Sequence, residues 1–134
     1  MARLVTRKDL DNLVTGVAGP VTAQSAVTKG QVLRLDTAGE ARPANNLVSD
    51  SIGRILGLAT KDAGAGFPVE YQYIGPFQMP VDQGWAYGQD LYWDASGNLT
   101  ATPPTPVLGE FIQIAGFALS SDTIFLVQVP GYPF

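Results

Sequence analysis

The side chains best suited to chemistry in this sequence are carboxylates. Glu70, Asp82, Asp90 and Asp94 fall in one stretch of the chain, and two such groups, one protonated and one ionised, can cleave a glycosidic bond without histidine or cysteine. Ser120, Ser121 and Asp122 set hydroxyls beside another carboxylate, but a serine nucleophile needs a base to take its proton. The chain has no histidine, and its last lysine is Lys61. It has no cysteine either, which excludes disulfides, thiol nucleophiles and thiolate metal sites. Most of the acidic residues adjoin glycine or other turn formers, where a carboxylate accepts hydrogen bonds from backbone N–H groups instead of reacting. The expectation is a protein that is not an enzyme and carries no cofactor and no metal.

Other short motifs resolve the same way. Asp36-Thr-Ala-Gly-Glu40 and Asp94-Ala-Ser-Gly-Asn98 could open calcium loops, yet the alternating ligand ladder and its closing glutamate are missing. An aspartate opening a turn and a glycine at positive φ explain both as hairpins. Lys61-Asp-Ala-Gly-Ala-Gly66 is glycine-rich, but strand-like Phe67-Pro-Val-Glu-Tyr-Gln-Tyr73 follows where a phosphate loop needs a helix N-terminus. A hairpin loop is expected there. Trp85, Tyr87, Tyr92 and Trp93 form an aromatic cluster, a composition shared by sugar-stacking platforms and protein interfaces. Alternation puts Tyr92 and Trp93 on opposite faces of a strand, and Trp85, Tyr87 and Trp93 are taken as candidate partner contacts.

The elements that must position these residues are strands. Ten prolines and fifteen glycines are spread along the chain and cut it into short apolar runs, the punctuation of an all-β domain. Alternation predicts strands over 31–35, 54–60, 69–73, 90–93, 98–102, 111–119 and 123–129. One short helix is predicted near the start, with Thr6 as its cap and Leu10, Leu13 and Val14 on one face before Gly16.

The most informative feature is an internal near-repeat. Gly30-Gln-Val-Leu-Arg-Leu-Asp-Thr-Ala-Gly39 aligns with Gly88-Gln-Asp-Leu-Tyr-Trp-Asp-Ala-Ser-Gly97, and Ile55-Leu-Gly-Leu-Ala59 aligns with Ile114-Ala-Gly-Phe-Ala118. Two related units of this kind predict about eight strands in a small β-barrel or β-sandwich. Gly57 and Gly116 recur where a bulge or a close backbone approach requires them. The domain reading is an N-terminal arm or short helix over 1–19, one β domain over 20–130 with the near-repeat at 30–75 and 88–130, and a tail over 131–134.

Composition bounds the partners. The 134 residues suit one domain. Charged residues are 15%, against about a quarter in ordinary domains, and mean hydropathy is +0.11, so part of the apolar excess is expected in interfaces. Up to Lys61 there are eight basic and five acidic residues; beyond it there are none and seven. Charge segregated in this way favours complementarity between subunits over binding to nucleic acid. No apolar run approaches a membrane span, and the start lacks the apolar stretch of a secretion signal. The expectation is a soluble protein made in a cytoplasm, with no membrane partner.

Gly88-Gln-Asp-Leu-Tyr-Trp-Asp-Ala-Ser-Gly-Asn-Leu-Thr100, followed by Gly109-Glu-Phe-Ile-Gln-Ile-Ala-Gly-Phe-Ala-Leu-Ser120 and preceded by Gly53-Arg-Ile-Leu-Gly-Leu-Ala-Thr60, resembles the tailed-bacteriophage capsid decoration proteins, also called cement or head-stabilisation proteins. The resemblance spans about residues 20 to 130, and similar modules occur in phage head and tail fibres. It implies a β-rich body, commonly a homotrimer, on the capsid exterior of the virion, where it stabilises contacts between subunits of the major capsid protein. Arg3, Leu4, Arg7, Lys8, Leu10 and Leu13 are then expected to form a capsid-binding arm, and Tyr132, Pro133 and Phe134 a second apolar tail that packs on a neighbour. The alternative is a head-fibre or tail-fibre module whose aromatic cluster binds a host glycan.

Overall fold

The computed structural model describes residues 16–45, 55–103, 111–112, 114–127 and 132–133. Among these residues the regular structure is all strand: β1 (Val17–Thr22), β2 (Val32–Leu35), β3 (Ala41–Pro43), β4 (Ile55–Ala59), β5 (Pro68–Gln72), β6 (Gly75–Gln78), β7 (Asp90–Trp93), β8 (Leu99–Thr100), β9 (Phe111–Ile112), β10 (Ile114–Ala118), β11 (Thr123–Leu126) and β12 (Tyr132–Pro133). Ten of them make two antiparallel five-stranded sheets, ordered β1-β5-β4-β2-β3 and β6-β11-β10-β7-β8. β9 and β12 pair in a ladder of their own. Each large sheet keeps two edge strands, so of the two closures expected from the sequence the barrel is absent and a sandwich-like, two-sheet arrangement is present. The predicted helix before Gly16 lies outside the described residues.

The two sheet orders are one order written twice. Exchanging β1, β2, β3, β4 and β5 for β6, β7, β8, β10 and β11 turns the first into the second. The hydrogen bonds repeat as well. Gly30 N–H donates to the Ala59 carbonyl at 2.9 Å and Gly88 N–H to Ala118 at 2.7 Å; Ala59 N–H returns a bond to Gln31 at 3.0 Å and Ala118 to Gln89 at 2.8 Å. Thr28 N–H donates to Gln31 Oε1 at 3.1 Å, and Ala86 N–H to Gln89 Oε1 at the same distance. Asp36 Oδ1 accepts from the Ala38 and Glu40 N–H groups, and Asp94 Oδ1 from those of Ser96 and Asn98. Aspartate opens each turn because its short side chain reaches backbone donors two and four residues on. Gly39 and Gly97 take φ near +80° in the third position after it, where glycine avoids the Cβ clash.

The sequence-repeated Gly57 and Gly116 also take equivalent places. Gly57 faces Leu33 on β2 and Gly116 faces Leu91 on β7, each beside a register shift. A Cβ at Gly57 would press on the Gln72 carbonyl oxygen, and one at Gly116 on that of Phe125. The close approach of the adjoining strand therefore excludes any side chain at either position.

Apolar burial divides unevenly between the halves. Ala23, Val27, Leu33, Ala41, Ala59 and Val69 form a small cluster within the first half. The larger cluster joins Val32, Ala44 and Leu58 from the first half to Trp85, Leu91, Trp93, Ile124 and Leu126 from the second. The second half thus packs its interior against the outer face of the first sheet. β1 begins at Val17 and pairs with β5, so residues 17–19 belong to the sheet and not to the arm. Tyr132 and Pro133 of the tail pair with Ile112 and Phe111 of the same chain.

Candidate functional site

The carboxylates singled out as possible acid and base are spread over separate elements. Glu70 is on β5 of the first sheet and Asp90 starts β7 of the second. Asp94 Oδ1 is occupied by its turn, and Asp82 Oδ1 accepts from Gly84 N–H at 2.8 Å. Among the described residues no group of three or more acidic side chains gathers where a metal ion could sit. The Ser120 hydroxyl donates to Asp122 Oδ1 at 2.9 Å, and Asp122 also accepts from Thr123 Oγ1 and Gln78 Nε2. These bonds, the Ser120 hydroxyl first, hold the Asp122 carboxyl below the usual carboxylate range against a small opposing effect of burial. Its backbone carbonyl takes the Met79 N–H at 2.7 Å. Asp122 thus ties the start of β11 to the end of β6, a structural task.

The aromatic cluster does not form a platform. Trp85 is 7% exposed and Trp93 4%, so both candidate partner contacts are core residues instead. Trp93 donates its indole N–H to the Asn45 carbonyl at 3.0 Å, which fixes it in the seam between the halves. The repeat itself carried a signal for Trp85. Extended back from Gly30 and Gly88, it sets Trp85 against Val27, an apolar position buried in the first half. Tyr87 is 80% exposed and remains available to a partner, while Tyr92 is half-buried. Arg3, Leu4, Arg7, Lys8, Leu10, Leu13 and Phe134 lie outside the described residues.

What the structure does build is a seam between the halves. The turn after β7 lies on the strand entry of the first half: Val32 N–H donates to the Gly97 carbonyl at 2.8 Å, and Gln31 Nε2 to the Ser96 carbonyl at 2.8 Å. Gly97 fits so tightly against Val32 and Ala44 that a Cβ would stand 2.8 Å from the Val32 carbonyl oxygen. Val32, Ile55 and Leu58 of the first half and Trp93, Ala115 and Leu126 of the second line one small apolar cavity in this seam. Lys29 adds its ammonium over the Phe77 ring at 5.9 Å. Sequence reasoning singled out neither glutamine, although both are matched in the near-repeat.

The corresponding turn of the first half is open. Thr37, Ala38 and Gly39 are exposed, and a Cβ on Gly39 would meet nothing within 4 Å. The turn lines a polar concavity with Arg34, Asp36, Glu40 and Arg42. Arg34 and Arg42 face each other across the β2–β3 ladder, and Arg42 Nη2 lies 3.4 Å from Asp36 Oδ2. The Glu40 N–H, then the Ala38 N–H and the two guanidiniums, hold the Asp36 carboxyl below the usual range while burial opposes them.

This architecture offers surfaces for packing and hydrogen bonding, with no gathered reactive groups among the described residues. No curated protein and no solved structure matches the chain. A family model described as phage cement protein does, over residues 13–123. That span takes in β1 through the start of β11 and so both sheets, and the chain belongs to the phage cement protein family.

Proposed function

We propose that this protein seats on the outer surface of a phage head and stabilises contacts between subunits of the major capsid protein, acting as a homotrimer. The observation that carries this reading is the family match across both sheets. Two other features support it: the shortage of charge in the sequence, and the exposed apolar side chains Phe67, Ile74, Val81 and Tyr87. Specific interfaces bury on the order of 1,600 Å² in total, and repetition over a lattice turns modest single contacts into a large stabilisation of the shell. Arg3, Leu4, Arg7, Lys8, Leu10 and Leu13 supply the capsid-binding arm, with Tyr132 and Phe134 as a second contact.

Cosedimentation with empty heads tests this. The full chain binds at a saturable stoichiometry, and removal of the first fifteen residues abolishes binding while the β body stays folded. Full binding by the shortened chain overturns the arm assignment; no binding by the full chain overturns the function. The glycan-binding alternative draws no support from the aromatic cluster, because both of its tryptophans are buried.

A further inference from the structure

The internal duplication uses one contact once and leaves both of its halves available a second time. In the first half, the ledge over residues 29–32 is covered: Gly30 and Val32 are buried, and Lys29 and Gln31 are half-buried. The second half covers it, with the Ser96–Gly97 turn at Gln31 and Val32 and with Met79 over Gly30. The equivalent ledge in the second half is Tyr87, Gly88, Gln89 and Asp90, and all four are exposed. Its geometry is preset. Gln89 is held by the same Oε1 bond, from Ala86 N–H, that orients Gln31, so its Nε2 is presented as the Gln31 Nε2 is. The β7–β8 ladder stops at Tyr92 and Thr100, and Thr102 N–H turns back to Thr100 Oγ1 at 3.1 Å, where Ala44 N–H in the first half bonds to Val32. Strand alternation then leaves the Asp90 backbone facing an open edge.

The turn that would fill this ledge is the exposed one at 36–40, whose aspartate bonds and glycine φ match those of the docked turn. We infer that Ala38 and Gly39 of one copy dock on Gln89 and Asp90 of a second copy, repeating between chains the contact that Ser96 and Gly97 make with Gln31 and Val32 within one chain. Gln89 Nε2 donates to the Ala38 carbonyl and Asp90 N–H to the Gly39 carbonyl. The outer face beside the ledge gains cover as well: Leu58 is 1% exposed in the seam, whereas its equivalent Phe117 is only half-buried, stacked on Phe125 with ring centroids 5.4 Å apart. A contact of this kind joins different patches of two identical chains, so it runs head to tail and closes into a ring when the rotation per copy allows.

This inference deepens the homotrimer part of the proposed function and rests on self-association, not on shell binding, so the test uses the purified full-length chain without capsids. Because the chain has no cysteine, Ala38→Cys and Gln89→Cys each place a single thiol. Mixing the two variants with a short bismaleimide should give a covalent dimer that neither gives alone, and the doubly substituted chain should give a ladder of multimers. Gln89→Ala should weaken self-association about fivefold in sedimentation equilibrium, the worth of one hydrogen bond, with an unchanged circular dichroism spectrum. A monomeric wild type, together with no mixed cross-link between the two variants, overturns both the homotrimer and this contact. A stable oligomer in which only like thiols join, or in which Gln89→Ala has no effect, overturns this contact alone.

Discussion

The two halves share a topology and a set of hydrogen bonds but not a way of being buried. Val27, Ala41 and Ala59 in the first half stand where Trp85, Leu99 and Ala118 stand in the second. The first half therefore has a thin interior of its own, and its stability depends on the second half covering its outer face through Val32, Ala44 and Leu58. A duplicated unit need only keep the bonds that define its strands and turns. The side chains between them are free to diverge until one copy serves as lid to the other.

Paired substitutions turn this comparison into measurements. Trp93 fills the seam and its equivalent Leu35 is half-buried, so Trp93→Ala should cost about 4 kcal/mol and Leu35→Ala less than half of that in urea unfolding. Equal costs would show that the halves carry the fold alike. Gly57→Ala and Gly116→Ala should each cost about 3 kcal/mol, because each Cβ meets the carbonyl of the neighbouring strand. Gly57→Ala should cost about 1 kcal/mol more, because only Gly57 of the two has a positive φ. A difference exceeding that by more than about 1 kcal/mol, beyond ordinary context dependence, would mean the two bulges are not equivalent. The turn glycines separate more sharply. Gly39→Ala should cost only the backbone strain of positive φ, about 1 kcal/mol, whereas Gly97→Ala adds a collision with Val32 and Ala44 and should approach 3 kcal/mol.

Sequence alternation and the near-repeat made β2, β4, β5, β7, β8, β10 and β11 legible, ran β9 into β10 as one strand over 111–119, and found both aspartate-opened turns. It missed β1, β3, β6 and β12 for one physical reason. Each contains a proline, Pro20, Pro43, Pro76 or Pro133, which reads as a breaker because it cannot donate to a ladder. Each of these strands is also at a sheet edge, the position where a missing donor is tolerated. Edge position is a property of the assembled sheet and is not written in the local sequence. The same limit applies to Trp85 and Trp93. Their residue type suits an interface as well as a core, and only the docking of one half on the other decides between the two. The seam was invisible for a further reason: Gln31 and Gln89 look identical in the repeat, and what separates them is that only Gln31 has a turn from the other half within reach.

Acid should act on both halves through a different carboxylate in each, with the smallest effect of the set. Asp36 in the first half and Asp122 in the second are held below the usual carboxylate range by hydrogen bonds present only in the folded chain. Between their folded values and the unfolded value of about 3.9, the unfolded chain binds more protons than the folded one. Stability therefore rises with pH through that window, is fully present above it, and is lost as pH falls through the folded values. Unfolding midpoints should be flat from pH 7 to about 5 and decline below about pH 4. Asp36→Asn and Asp122→Asn should each lower stability at pH 7 and flatten their own part of the acid decline. Asp36→Asn would act through the exposed turn and its arginines, and Asp122→Asn through the link between β6 and β11. If one variant flattens the whole decline, a single half controls acid unfolding, and the thin interior of the first half makes Asp36 the site to examine.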